Sequence, residues 1–100
     1  MADQVRVVAI LTTQAGRGDE VLALWPDLAA QVRAEEGCRG YDLYRVIGNN
    51  DRFIVQEQWA SLDALATHGA SPHMRDFGRA AAGILTGPAE VIVTPDTPAV

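Results

Sequence analysis

Residues 37–59 read GCRGYDLYRVIGNNDRFIVQEQW. Aromatic and β-branched residues fill two runs, and Gly48-Asn49-Asn50-Asp51 between them consists of residues that favour tight turns. The pattern predicts an antiparallel hairpin over about 39–59. Side chains alternate along a strand, so one face of the second strand carries Phe53, Val55, Glu57 and Trp59.

The sequence on both sides of the hairpin predicts helices, with one further strand at each end of the chain. Residues 5–12 are apolar apart from Arg6 and the terminal Thr12, which is typical of a strand buried on both faces. Residues 19–36 carry apolar side chains at helical spacing. Ser61 and Ser71-Pro72 favour the starts of two short helices, and residues 89–94 are predicted to form the last strand.

This order of elements predicts a ferredoxin-like α+β fold, the split βαβ arrangement with a four-stranded antiparallel sheet. The 100 residues form a single domain, with a core over about 5–94 and a flexible tail at 95–100. Right-handed crossovers place all the helices on one face of the sheet. The other face would still carry apolar residues, because Val91 and Val93 lie opposite Ile92. We therefore expect a symmetric homodimer that packs sheet against sheet.

Composition narrows the classes of partner. The net charge of −5 argues against a nucleic-acid partner, since phosphate binding needs a basic face. The N-terminus lacks a basic region and no apolar run approaches a membrane span, so we expect no membrane association. Cys38 is the single cysteine, which fits a reducing compartment. The sequence thus predicts a cytoplasmic protein.

Several separate motifs resemble the antibiotic biosynthesis monooxygenase domain family over about residues 5–93. They are Glu36-Gly37-Cys38, Tyr41-Asp42-Leu43-Tyr44, Glu57-Gln58-Trp59, His68 and Ser71-Pro72-His73. The resemblance implies a dimeric α+β barrel with a pocket between sheet and helices in each subunit. It also implies oxygenation of quinols, anthrones or related aromatics by O₂ without metal or flavin. The deprotonated substrate would itself reduce O₂, while the protein supplies binding, deprotonation and a dry site.

Other branches of the resemblance leave alternatives open. A haem-degrading branch needs an Asn on the first strand, a Trp at the end of the third and a His on the last helix. Trp59 matches, but the Asn and His positions fall near Ala9 and Gly78. Haem cleavage is therefore not expected. A further branch isomerises small signalling sugars or their phosphates, and the same fold occurs in dimers without demonstrated chemistry. An isomerase or lyase, or a non-catalytic ligand-binding dimer, thus remains an alternative to the monooxygenase.

Two residues are candidates for catalysis. His68 could accept a phenolic proton, with Glu57 orienting it, although His68 could instead cap a helix and Glu57 could make a structural hydrogen bond. Trp59 could pack on the substrate ring or belong to the core. The expected substrate-binding residues are Trp59, Phe53, Val55, Tyr41, Leu65, His73 and Phe77. His68 and His73 are five residues apart, which is not a metal-binding helical spacing, so no metal or other cofactor is expected.

Overall fold

A computed structural model describes residues 3–100 of the chain. The elements in chain order are β1 (Val5–Thr12), α1 (Gly18–Arg33), β2 (Cys38–Arg45), β3 (Arg52–Trp59), α2 (Leu62–Gly69), α3 (Pro72–Ala81) and β4 (Glu90–Pro95). The strands form one antiparallel sheet in the order β2-β3-β1-β4. This is the ferredoxin-like α+β arrangement that the order of elements predicted.

Local sequence explains where the elements begin and turn. Gly48 has φ +86° in the turn between β2 and β3, and Gly37 has φ +89° between α1 and β2. Both values lie in the left-handed region that glycine adopts without strain. Ser61 Oγ accepts a hydrogen bond from the Ala64 amide at 3.0 Å, so Ser61 caps α2 as expected. Ser71 caps α3, whose first residue is Pro72.

The core lies between the helices and the inner face of the sheet. That face is built from alternate residues of β1 and β3, among them Val7, Leu11, Phe53 and Val55. Val8 of the opposite, outer face is 36% exposed, and the expectation that β1 is buried on both faces is therefore wrong within one chain. All three helices lie on the inner-face side of the sheet, so no helix or strand of residues 3–100 covers the outer face.

The ends of two elements differ from the predicted bounds. α1 ends at Arg33 rather than at residue 36, and the chain then turns through Gly37 into β2. β4 includes Pro95, the first residue of the predicted flexible tail. Asp96 continues this attachment, since its amide donates to the Gln4 carbonyl at 3.0 Å and its carboxylate pairs with Arg6. No helix within residues 3–100 is both long and apolar enough to cross a membrane.

Candidate functional site

A cavity of about 580 Å³ lies between the inner face of the sheet and the three helices. All four strands contribute to one wall, β4 through Val91, and α1, α2, α3 and the segment before β4 form the rest. Almost all of the lining is aliphatic, aromatic or glycine. Among its residues, only Tyr41, Glu57 and His68 have side chains that titrate. The cavity is therefore an apolar site with a few polar groups, as small-molecule sites commonly are.

The register of the hairpin brings two of these polar groups together. Tyr41 on β2 and Glu57 on β3 are directly paired across the antiparallel ladder, so their side chains lie side by side on the inner face. Val55, two residues before Glu57, points to the same face. His68 reaches this wall from the last turn of α2. The site therefore depends on how α2 packs on the hairpin.

His68 is a buried histidine whose two ring nitrogens have different surroundings. Nδ1 lies 2.8 Å from Glu35 Oε2, which is hydrogen-bond distance. Nε2 lies 4.0 Å from Glu57 Oε1, and the ring centroid lies 4.5 Å from that of Trp59. The sequence predicts that Glu57 orients the imidazole. In the structure the carboxylate hydrogen-bonded to the ring is that of Glu35, and the Glu57 carboxylate is more distant.

Glu57 is a buried carboxylate with one strong hydrogen-bond donor. Trp59 Nε1–H donates to Glu57 Oε1 at 2.9 Å, and both side chains are buried. Burial raises the pKa of Glu57 above its ordinary value, and the Trp59 hydrogen bond and the nearby His68 oppose that rise. The charge of Glu35 adds to the rise. Glu57 is thus one group of this wall whose protonation is perturbed by its surroundings.

Glu35 also contacts the second histidine. Its Oε2 atom lies 2.8 Å from His73 Nε2 on α3, so one carboxylate oxygen joins two imidazoles. The donor atoms of Glu35, His68 and His73 lie within 4.8 Å of one another, and imidazole with carboxylate is a donor set that suits zinc or non-haem iron. However, N···O separations of 2.8 Å are hydrogen-bond distances that place a hydrogen between the two atoms. The observed contacts therefore describe a hydrogen-bond network.

An aromatic wall closes the side of the cavity next to α1 and α3. Trp25 stacks on Tyr41 with ring centroids 5.3 Å apart and planes 5° apart. Phe77 meets Trp25 edge to face at 5.7 Å. Burial, together with the nearby charges of Glu57 and Glu35, raises the pKa of Tyr41, so its hydroxyl stays protonated across the physiological range. The wall offers flat apolar rings and one phenolic donor.

The residues proposed from the sequence fall into two groups. Those that line the cavity are Tyr41, Val55, Glu57, Leu65, His68 and Phe77. Trp59 and Phe53 are 0% exposed and lie in the core outside the lining, so neither can pack on a ligand in this conformation. His73 borders a separate shallow groove between α1 and α3. Its contact with the site runs through Glu35.

Sequence reasoning missed most of the aliphatic and glycine residues of the lining, and it also missed Trp25, Met74 and Glu35. Trp25 and Met74 belong to the apolar stripes of α1 and α3, and both line the cavity. Their spacing could not separate core from cavity, because both environments require the same apolar face. Glu35 lies just after α1, where a glutamate normally reads as a solvated helix end. No local signal marked it, because its partners lie 33 and 38 residues further along the chain.

The fold and the cavity define a ferredoxin-like α+β domain that encloses a small-molecule site, and known proteins share this architecture. Residues 4–80 match the family described as antibiotic biosynthesis monooxygenase. The candidate monooxygenase Rv0793 of Mycobacterium tuberculosis is 31% identical over 93 residues, which is 93% of this chain and 91% of Rv0793. The candidate monooxygenase YcnE of Bacillus subtilis is 28% identical over 86 residues, 86% of this chain and 90% of YcnE.

Solved structures agree with the sequence matches. The Rv0793 structure superposes with a TM-score of 0.83 and covers 97% of this chain and 99% of its own. A candidate antibiotic biosynthesis monooxygenase from Caulobacter crescentus gives a TM-score of 0.88 at 30% identity, covering 97% of this chain and 92% of its own. This chain therefore belongs to the antibiotic biosynthesis monooxygenase family.

Proposed function

We propose that the protein is a monooxygenase that oxidises a small hydroxylated aromatic, a quinol or an anthrone, with O₂ and without a cofactor. The observation that carries the proposal is the apolar cavity with His68 and Glu57 in its wall. Membership of the family supports the reaction class. The apolar, aromatic lining of the cavity supports the substrate class, and the monooxygenase class of the family supports the use of O₂.

The size and lining of the cavity favour a planar apolar ligand. A volume of about 580 Å³ falls within the range of about 300–1,000 Å³ that is usual for small-molecule sites. Trp25, Tyr41 and Phe77 present aromatic rings to this space. Aromatic rings pack on one another in stacked or edge-to-face geometry, so a quinol or anthrone would gain specific contacts as well as burial.

His68 is the proposed general base. Its Nε2 faces Glu57 at 4.0 Å and is not the nitrogen that Glu35 holds, so it is available to a phenolic proton. The Tyr41 hydroxyl remains protonated and could donate a hydrogen bond to a substrate oxygen. Substrate binding would displace water from an apolar site, which strengthens these polar contacts.

The electrons for oxygen activation come from the substrate. Deprotonation makes the aromatic a better reductant, so O₂ takes one electron and the resulting radicals recombine to a peroxide. For an anthrone, loss of water from that peroxide turns the ring CH₂ group into a carbonyl. One oxygen atom stays in the carbonyl and the other leaves as water, and no external reductant is required.

The alternative functions fit this cavity less well. A phosphorylated sugar requires converging cationic side chains, and no arginine contributes to the cavity lining among residues 3–100. A purely structural dimer would fill the space with its own side chains. The open volume instead favours a bound small molecule.

The proposal includes a homodimer. The outer face of the sheet carries a row of apolar side chains that one chain leaves uncovered: Tyr44, Val8, Ile10, Ile54 and Ile92. Val91, on the inner face of β4, lines the cavity and is still 57% exposed. A second copy packed against the sheet and β4 would cover the apolar face and shield the open side of the cavity.

Oxygen consumption with a panel of quinols and anthrones, without added cofactor, tests the function. A general base typically contributes 10²–10⁴-fold, so His68→Ala should lower kcat by about that factor. Circular dichroism and sedimentation of the variant should match those of the wild type, which excludes misfolding as the cause. Equal oxygen consumption by both proteins would remove His68 as the base. Turnover of a phosphorylated sugar with none of the aromatics oxidised would replace the proposed reaction with an isomerisation.

A further inference from the structure

Three side chains form a network that reaches from the cavity wall into the protein. Glu35 Oε2, in the turn after α1, lies 2.8 Å from His68 Nδ1 on α2 and 2.8 Å from His73 Nε2 on α3. The side chains of Glu35, His68 and His73 are 12%, 5% and 15% exposed. An arrangement that brings three separate elements together around one carboxylate oxygen is a specific feature of the tertiary structure.

The two hydrogen bonds determine which nitrogens carry hydrogen. An ionised carboxylate only accepts hydrogen bonds, so His68 Nδ1 and His73 Nε2 must both be donors. A neutral His68 then has its hydrogen on Nδ1 and its lone pair on Nε2. Nε2 is the nitrogen on the side of Glu57, which lines the cavity.

We propose that Glu35 is a positioning residue that fixes the tautomer and orientation of His68, and that His73 in turn positions Glu35. The inference rests on the proposed role of His68 as general base. Glu35 acts before the reaction by presenting the Nε2 lone pair to the cavity. It acts during the reaction by stabilising the imidazolium that forms when His68 takes a proton, since the contact at Nδ1 becomes charge-assisted.

Three other titratable groups lie on the strands beside His68. Glu57 on β3 lies 4.0 Å from Nε2, Tyr41 on β2 packs with its ring centroid 5.6 Å away, and Cys38 begins β2. Among the side chains of residues 3–100, only that of Glu35 is at hydrogen-bond distance from an imidazole nitrogen of His68. Its removal should therefore alter the tautomer, whereas the more distant groups contribute mainly through their charge.

Glu36 provides a matched control for Glu35. It is the next residue in the chain and carries the same charge, but its side chain is exposed. Glu36→Gln removes one negative charge close to the site without touching the network. Any effect that Glu35→Gln shows and Glu36→Gln does not is therefore due to the contacts of Glu35.

Nitrogen-15 NMR of histidine-labelled protein tests the tautomer without any substrate. The chain has two histidines, so His73→Gln identifies the His68 resonances. In the wild type and in Glu36→Gln, neutral His68 should show hydrogen on Nδ1 and a bare Nε2. In Glu35→Ala the Nε2–H form should become substantially populated. A wild-type His68 with hydrogen on Nε2, or an unchanged tautomer in Glu35→Ala, would overturn the proposal.

Steady-state oxygen consumption tests the consequence for catalysis. Glu35→Gln should lower kcat by about 10–100-fold, the usual effect of losing a supporting contact, with KM changed by less than about twofold because Glu35 does not line the cavity. A fall in kcat in Glu35→Ala with the His68 tautomer unchanged from that of the wild type would indicate a merely structural role and would refute the proposal.

The two experiments separate failure of the inference from failure of the proposed function. If no aromatic is oxidised but the His68 tautomer depends on Glu35, the positioning role of Glu35 is supported and the proposed oxygenation is refuted. If His68→Ala abolishes turnover while Glu35→Gln and Glu36→Gln have the same kcat, then His68 remains the general base and the positioning role of Glu35 is refuted. One equivalent of Zn²⁺ bound by the wild type and lost in Glu35→Gln would also overturn the proposal by making the trio a metal site.

Discussion

Replacing Trp59 with phenylalanine should cost the protein stability rather than ligand affinity. Trp59 is fully buried, and its indole N–H donates to Glu57 Oε1 at 2.9 Å. Phenylalanine keeps an aromatic ring at this position but has no donor. The substitution thus removes one hydrogen bond from a buried carboxylate and leaves a small unfilled volume.

The magnitude follows from these two losses. A buried polar group without its partner costs about 1–3 kcal/mol, and a methyl-sized cavity costs about 1 kcal/mol. Together they lower the free energy of unfolding by about 2–4 kcal/mol. With a urea slope of about 1–2 kcal/mol per M, the midpoint should fall by about 1–4 M. A domain with about 5–15 kcal/mol of stability remains folded in buffer.

Trp25→Phe is the matched control, since these are the only two tryptophans. Trp25 Nε1 has no hydrogen-bond partner within residues 3–100, so this change costs only the volume term of about 1 kcal/mol. Trp25 lines the cavity, and its loss should instead raise KM. Urea unfolding followed by far-ultraviolet circular dichroism compares the two variants. If Trp25→Phe is destabilised as much as Trp59→Phe, the hydrogen bond to Glu57 does not stabilise the fold as argued.

Two further predictions concern Glu57 and the dimer. Burial raises the pKa of Glu57, so its contribution to stability is complete below the ordinary value of 4.5 and is lost as the pH rises through the folded value. Glu57→Gln should therefore gain stability relative to the wild type between pH 4 and pH 8 in urea unfolding, and a difference that stays flat or falls would contradict this. Sedimentation at micromolar concentration should give about 21 kDa, twice the chain mass of 10.7 kDa, and Ile92→Asp on the outer face should give the single-chain mass. Ile47→Asp, in the exposed hairpin turn, should remain dimeric, and a monomeric wild type would rule out the dimer.

The local sequence pattern was sufficient to predict the fold, because apolar side chains recur with the period of a strand or of a helix. Alternation along 52–59 placed Phe53, Val55, Glu57 and Trp59 on one face, and the structure confirms that all four side chains are buried there. The two serine caps and the glycine turn set the ends of the intervening elements within a few residues. These features depend on residues that are close in the sequence, so they can be predicted without knowledge of the tertiary packing.

Tyr41 and Tyr44 show what the local sequence pattern cannot predict. Their separation put them on opposite faces, but only the packed helices decide that Tyr41 faces the cavity and that Tyr44 is half exposed on the outer face. The same holds for Trp59, whose face was predicted but whose depth was not. Whether an inward side chain meets a ligand or other side chains depends on how far the helices stand from the sheet at that point.

The sequence by itself determined the order of the elements, their faces and the apolar character of the site. Only the tertiary structure brought Glu35 to His68 and His73, which follow it by 33 and 38 residues. Hydrogen bonds act within about 3 Å, and a shift of one side chain by a single ångström would break the network. Such distances are set by the packing of α1, α2 and α3 on the sheet, which hydrophobic periodicity constrains in direction but not in position.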